Sequence, residues 1–126
     1  MRAKGTFEVS LKPQVDNSFP AGRMCIDKTY EGDLEGSGIG QMISKKTGNG
    51  TAVYYAIEEF SGSVQDKSGA FTLVHKGFMS KEDQSLEVDI LEGSGSGELE
   101  GIKGSMLIVQ AADGHAYELT YELANL

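Results

Sequence analysis

Leu86-Glu87-Val88-Asp89-Ile90 lies inside one of the two longest glycine-free stretches of the chain, Phe78 to Glu92, and alternates strictly between apolar and acidic residues. A long helix would need such a stretch, because an interior glycine costs a helix about 1 kcal/mol relative to alanine. The period of two instead puts Leu86, Val88 and Ile90 on one face of a strand and both carboxylates on the other. The second long glycine-free stretch, Thr6 to Ala21, contains Pro13 and Pro20 and opens with the same alternation, Phe7, Val9 and Leu11 against Thr6, Glu8 and Ser10. The chain spreads 17 glycines over 126 residues, about twice the usual share, and no window reads as an amphipathic helix.

Working outward, Met24 and Ile26 alternate with Cys25 and Asp27, and Phe71, Leu73, His75, Gly77 and Met79 share one face. Tyr117, Leu119, Tyr121 and Leu123 alternate with Ala116, Glu118, Thr120 and Glu122. Asn49-Gly50 and Asp113-Gly114 supply the positive φ angles of tight hairpin turns. Asp66-Lys67-Ser68-Gly69 and Lys81-Glu82-Asp83 are short polar turns. The predicted strands are 4–11, 22–35, 38–44, 51–65, 69–80, 84–92, 104–112 and 115–124. Eight strands with mostly short connections leave no room for parallel crossovers. The predicted fold is therefore all-β, an antiparallel meander closed into an eight-stranded barrel, which removes its edges. Gly32, Gly62 and Gly77 are read as bends or bulges that help the sheet curl.

Several segments also resemble a known family. These are Asp27-Lys28-Thr29-Tyr30-Glu31-Gly32-Asp33-Leu34-Glu35-Gly36, the group Tyr54, Ala56, Ile57 and Glu58, Ser68-Gly69-Ala70-Phe71-Thr72-Leu73-Val74-His75-Lys76-Gly77, Gly95 to Met106, and Tyr117 to Leu123. In order and over nearly the whole length they resemble the bacterial domain of unknown function 3224. The resemblance implies a closed eight-stranded meander barrel similar in fold to the allene oxide cyclases. It brings no catalytic residues with it, and fold does not fix function.

Composition narrows the function classes. A length of 126 residues fits one domain, here residues 1–126, with a single core. A net charge of -8 argues against nucleic acid, which needs a basic face. One cysteine cannot staple a secreted scaffold. The start, Met1 to Leu11, has no continuous apolar stretch, so neither a signal peptide nor a membrane span is expected and the cytoplasm is the expected compartment. No cofactor is implied. The glycine-rich runs 36–40 and 93–97 lack the helix and Lys-Ser or Lys-Thr of a phosphate loop and are read as strand bends or hairpin loops. Two histidines and one cysteine give no zinc spacing, and no metal site is expected. Asp27, Glu31, Asp33 and Glu35 read as a solvated face.

Strand parity assigns an interior. Taking Ala52, Tyr54, Ala56, Glu58 and Phe60 as the inward face of 51–65 leaves Val53, Tyr55, Ile57 and Glu59 outside. The expected lumen then contains Met24, Lys28, Tyr30, Tyr54, Glu58, Phe71, Leu73, His75, Met79, Tyr117 and Tyr121. This mixture of apolar side chains and a few polar ones suits a site for a small, largely apolar molecule. Glu58 and His75 are the candidate acid–base pair. A hairpin turning at 66–69 would set Glu58 opposite residues 76–77, close to His75. Three readings follow: a small-molecule binding barrel, an isomerase or cyclase working through that pair, or a packed structural barrel acting through its surface. Exposed Val53, Tyr55 and Ile57 would support a homodimer. His115, after the Asp113-Gly114 turn, is expected to be exposed.

Overall fold

A computed structural model describes residues 1–15, 19–111 and 114–123. Eight long strands form one closed antiparallel barrel: β1 (Arg2–Gln14), β2 (Gly22–Gly32), β3 (Leu34–Lys46), β4 (Ala52–Val64), β5 (Lys67–Met79), β6 (Gln84–Ile90), β8 (Lys103–Ala111) and β9 (Gly114–Glu122). A two-residue strand, β7 (Ser96–Gly97), lies in the β6–β8 connection and pairs with β5. Neighbours in sequence are neighbours in the wall, and β9 closes it by pairing with β1. Among the described residues no helix is long and apolar enough to cross a membrane.

The strands follow the predicted pattern, with corrections at the turns. The alternation predicts one strand through 22–35, but the chain turns at Asp33 and β3 already begins at Leu34. Gly32 takes φ 105° there, and the Asp33 carboxylate accepts the Lys4 N–H at 2.9 Å. Run 36–40, expected to bend or loop, lies within β3. The β4–β5 turn is made by Gln65 and Asp66, with φ of 45° and 76°, rather than by residues 66–69. This two-residue turn sets Glu58 opposite Leu73, and His75 opposite Ala56. Gly77 is no bulge: Tyr54, Gly77 and Leu86 follow one another in regular register. It lacks a side chain because the Tyr54 ring occupies that place, its Cε1 lying 2.1 Å from where a Cβ would sit. Of the predicted Asp113-Gly114 turn, Asp113 lies outside the described residues, as do residues 112 and 124 of the predicted strand ends.

The two halves of the barrel differ. One half is filled: Tyr30 packs edge-on against Phe60 and Tyr117, and Phe60 lies against Phe71. Leu34, Leu73, Leu99, Ile102 and Leu119 are fully buried with them. Leu99 and Ile102 come from the β6–β8 connection, which winds through one turn, Ile102 N–H donating to Leu99 C=O at 3.1 Å. They plug that end. Toward the other end the inward faces open: Leu73 is fully buried, but Met79 on the same face is 41% exposed and Leu86 38%.

Candidate functional site: a buried carboxylate and its donors

The filled half stops at Glu58. Alternation along β4 turns Ala56, Glu58 and Phe60 inward and leaves Tyr55, Ile57 and Glu59 exposed. Glu58 has no exposed surface. A buried carboxylate must be paired and hydrogen-bonded, and neighbouring strands supply the donors. From β2, Lys28 Nζ reaches Oε1 at 3.0 Å and the Tyr30 hydroxyl donates to Oε2. From β5, His75 Nε2 lies 2.9 Å from Oε1. His75 sits diagonally across the β4–β5 pair from Glu58, two positions along from its partner Leu73, within reach of a long side chain. The predicted Glu58–His75 contact therefore forms in a different register from the one expected.

Burial pushes the Glu58 carboxyl up, but the bond from His75, the charge of Lys28 and the bond from Tyr30 outweigh it and hold the group below its usual range. The same environment raises the Tyr30 hydroxyl strongly, through burial first and the Glu58 charge second. With Glu58 ionised and able only to accept, His75 Nε2 carries the proton it donates. His75 Nδ1 has no hydrogen-bond partner, yet no fully buried polar side-chain atom among the described residues lacks one, so Nδ1 is not fully buried. Lys28 has three donors and gives one to Glu58. Its ammonium lies 4.7 Å from the centre of the Phe7 ring, a cation–π contact.

Two further residues shape this floor. A Cβ on Gly38 would stand 2.0 Å from Glu58 Oε2, so the bare backbone of β3 makes room for the carboxylate. His115 is not an exposed turn residue: β9 pairs it with Phe7, and the two rings stack at 5.1 Å. It is half-buried against the ring beneath Lys28.

The expected lumen residues divide between the halves. Phe71 and Leu73 are in the filled half, with Tyr30 at its upper boundary. Tyr117 is tied up in structure, its hydroxyl accepting the Leu34 N–H at 2.8 Å and donating to Glu31 C=O at 2.9 Å. Tyr121 donates to the Gln65 side chain. Met24, Lys28, Tyr54, His75 and Met79 lie at or above the floor, with Met24 and Tyr54 half-buried and Met79 exposed. Sequence reasoning left Phe7, Gly38, Met42 and His115 out of the site. Phe7 and His115 join it through the β1–β2 and β1–β9 pairings, which no local pattern signals. Met42 pairs with Met24 and Ala56, so it shares their inward face.

With fold and site in view, the chain can be placed. Residues 3–121 match a family model described as protein of unknown function (DUF3224), and the chain belongs to that family. A crystal structure of a protein with unknown function from the same family, from Shewanella oneidensis MR-1, is 33% identical. The match covers 100% of this chain and 98% of that one, with a TM-score of 0.92. No protein with a curated function matches the chain.

Glu58→Gln should cost about 3–5 kcal/mol at neutral pH, because it leaves Lys28 a buried charge without its counter-charge. The lowered carboxyl fixes the sign of the pH dependence. In the unfolded chain the group titrates near its ordinary value of about 4.3. Stabilisation by ionised Glu58 is fully present above that value and is lost as pH falls through the lower folded-state value. Urea unfolding of both proteins down to about pH 3 should show a stability difference that is constant near neutrality and shrinks below about pH 4. A difference that widens with acid would contradict an ionised Glu58.

Proposed function

We propose that the open half of the barrel is a binding cup for a small, largely apolar molecule whose oxygen head group hydrogen-bonds to Lys28 and His75. The observation that carries this reading is the cluster of Lys28, Glu58 and His75 at the base of an otherwise apolar cup. Ligand sites commonly combine an apolar wall with a few oriented polar groups. Met24, Met42, Tyr54 and Met79 form the wall in this reading, and methionine adapts well to irregular ligands. Phe71, Leu73, Tyr117 and Tyr121 act as the packed base, and Tyr30 anchors Glu58. Lys28 and Glu58 cancel in charge, so the floor offers hydrogen bonds rather than net charge. A neutral carbonyl or hydroxyl head suits it.

Met42→Trp would fill the cup without touching the floor. Wild type should bind the neutral dye Nile red with a rise in fluorescence. The variant should bind at least about tenfold more weakly, the equivalent of 1.4 kcal/mol, with its circular dichroism unchanged. Equal binding by both proteins would defeat the cup. Native mass spectrometry of gently released protein would then identify any retained natural ligand.

A second reading, proton transfer, is favoured by one observation: His75 Nδ1 is unbonded and not fully buried, while Nε2 lies 2.9 Å from the Glu58 carboxylate. A carboxylate that fixes a histidine tautomer in this way prepares the other nitrogen as a base. With a bound ketone, Nδ1 would take a proton from the carbon beside the carbonyl, and the Lys28 ammonium would stabilise the enolate oxygen. The proton then returns to the same or an allylic carbon, giving exchange or isomerisation. In deuterium oxide, wild type should speed deuterium incorporation beside the carbonyl of a bound methyl ketone, and His75→Asn should abolish this while retaining ketone binding. Equal exchange rates in the two proteins would leave binding alone.

A further inference from the structure

The barrel wall is not equally closed all round. Among the described residues β6 and β8 pair only through Val88–Met106 and Asp89–Ser105. Their other neighbours continue further toward the mouth, β5–β6 to Met79–Gln84 and β8–β9 past Val109–Ala116. Between the splayed ends lies a gap of about 670 Å³. Tyr54, Met79, Leu86 and Ile108 line it from the lumen side and Phe78 and Leu107 from outside, with the polar Gln84 and Ser85 at its edge. Phe78 is 40% exposed and Leu107 60%.

A partly apolar surface thus runs from Tyr54 and Met79, through the wall, to Phe78 and Leu107 on the exterior, with Gln84 and Ser85 along its rim. A compact ligand has no use for this path, since the cup mouth already admits it. The cup is also shallow: Met79 is four positions along β5 from His75, roughly 13 Å along a strand, and less along the axis because barrel strands tilt. We infer that the ligand is a straight-chain amphiphile with a neutral oxygen head, held at Lys28 and His75, whose tail leaves through the β6–β8 gap. This inference rests on the cup reading above and names its ligand class.

The test is displacement of Nile red by methyl ketones of short, medium and long chain, on wild type and Leu107→Glu. Wild-type affinity should rise by up to about fourfold per added methylene, the usual gain on burial, and should go on rising after the chain outgrows the cup. Leu107→Glu should weaken long chains about tenfold or more and leave short chains unchanged. A plateau once the cup is full, or equal loss for short and long chains, would overturn the exit path and leave the cup standing. Failure of every ketone to displace the dye would overturn cup and path together.

A separate feature of the wall carries a second inference. On the outside of β3 and β4, Ile39, Ile43, Tyr55 and Ile57 are 63%, 48%, 51% and 59% exposed. With Val74 of β5 they line a groove of about 840 Å³. Val53, half-buried, faces the same way. Exposed apolar patches of more than a few hundred Å² mark interaction sites. Around this patch, Lys76 lies beside Tyr55 at one end, with Glu87 across from it on β6, and Asp27 and Glu59 flank Ile39 at the other. The geometry points to a second copy of this chain as the occupant. A two-fold axis along the Gln41–Ile57–Val74 row, in the plane of contact, sets each copy's Ile43 against the other's Ile39. The same rotation brings the Lys76 end of one copy toward the Glu59 end of the other. The polar rim adds area toward the roughly 800 Å² per partner that a stable interface needs.

Sedimentation velocity should find wild type dimeric at micromolar concentration and Ile57→Asp monomeric, with unchanged circular dichroism. Lys76→Glu should weaken the dimer at least about tenfold, and adding Glu59→Lys should restore most of the loss, as expected when opposed charges are exchanged. A wild type that stays monomeric at high concentration, or a double variant no better than Lys76→Glu alone, would overturn the interface.

Discussion

A carboxylate with no exposed surface sits in the middle of this barrel, and the arrangement of its wall follows from keeping that charge satisfied. Glu58 accepts from Lys28 and Tyr30 on β2 and from His75 on β5, while β3 gives it space at Gly38. Four consecutive strands are thus tied to one side chain. A one-residue slip of any of them would turn a donor to the outside or a side chain into the carboxylate. Buried ion pairs add little net stability over an apolar core of the same shape, but breaking one is costly. Here the cluster disfavours wrong registers more than it strengthens the right one.

The same cluster divides the barrel. Below it, interlocking aromatic rings and the Leu99–Ile102 plug make a packed base. Above it, Met24, Met42 and Tyr54 are half-buried and Met79 is exposed. Packing on one side and the bonds to Glu58 fix Lys28 and His75 in orientation. In the binding reading proposed above, a base this rigid would need no further ordering when a ligand arrives, and such preorganisation is where affinity is gained.

Much of this was legible in the sequence. Period-two alternation identified the strands, and short polar connections implied an antiparallel meander that could close. Choosing Glu58 as inward followed from small residues alternating with large ones along β4. The Glu58–His75 contact was anticipated from a wrong turn, because both residues share the inward face and long side chains tolerate a shifted register. Features set by distant pairing could not be read. Phe7 and His115 meet only because β1 pairs with β9. Leu99 and Ile102 sit in a glycine-rich stretch with no strand period, joined by a single tight turn through Gly101 at φ 81° that no periodic pattern announces. Gly77 carried a bend signal, yet it is bare to admit a tyrosine ring.

The β1–β9 seam has a consequence for how the chain reaches this state. It joins Arg2 to Thr120 and Ala3 to Leu119, contacts of very high sequence separation, and such contact order slows folding. Until β9 is available, β1 is an unpaired edge beside a sheet whose inner face is apolar. During synthesis that half-built sheet waits with both edges open, when edge-to-edge association competes with closure. The charges at alternate positions along β1, Arg2, Lys4 and Glu8, stand on its outer face and guard that edge during the wait.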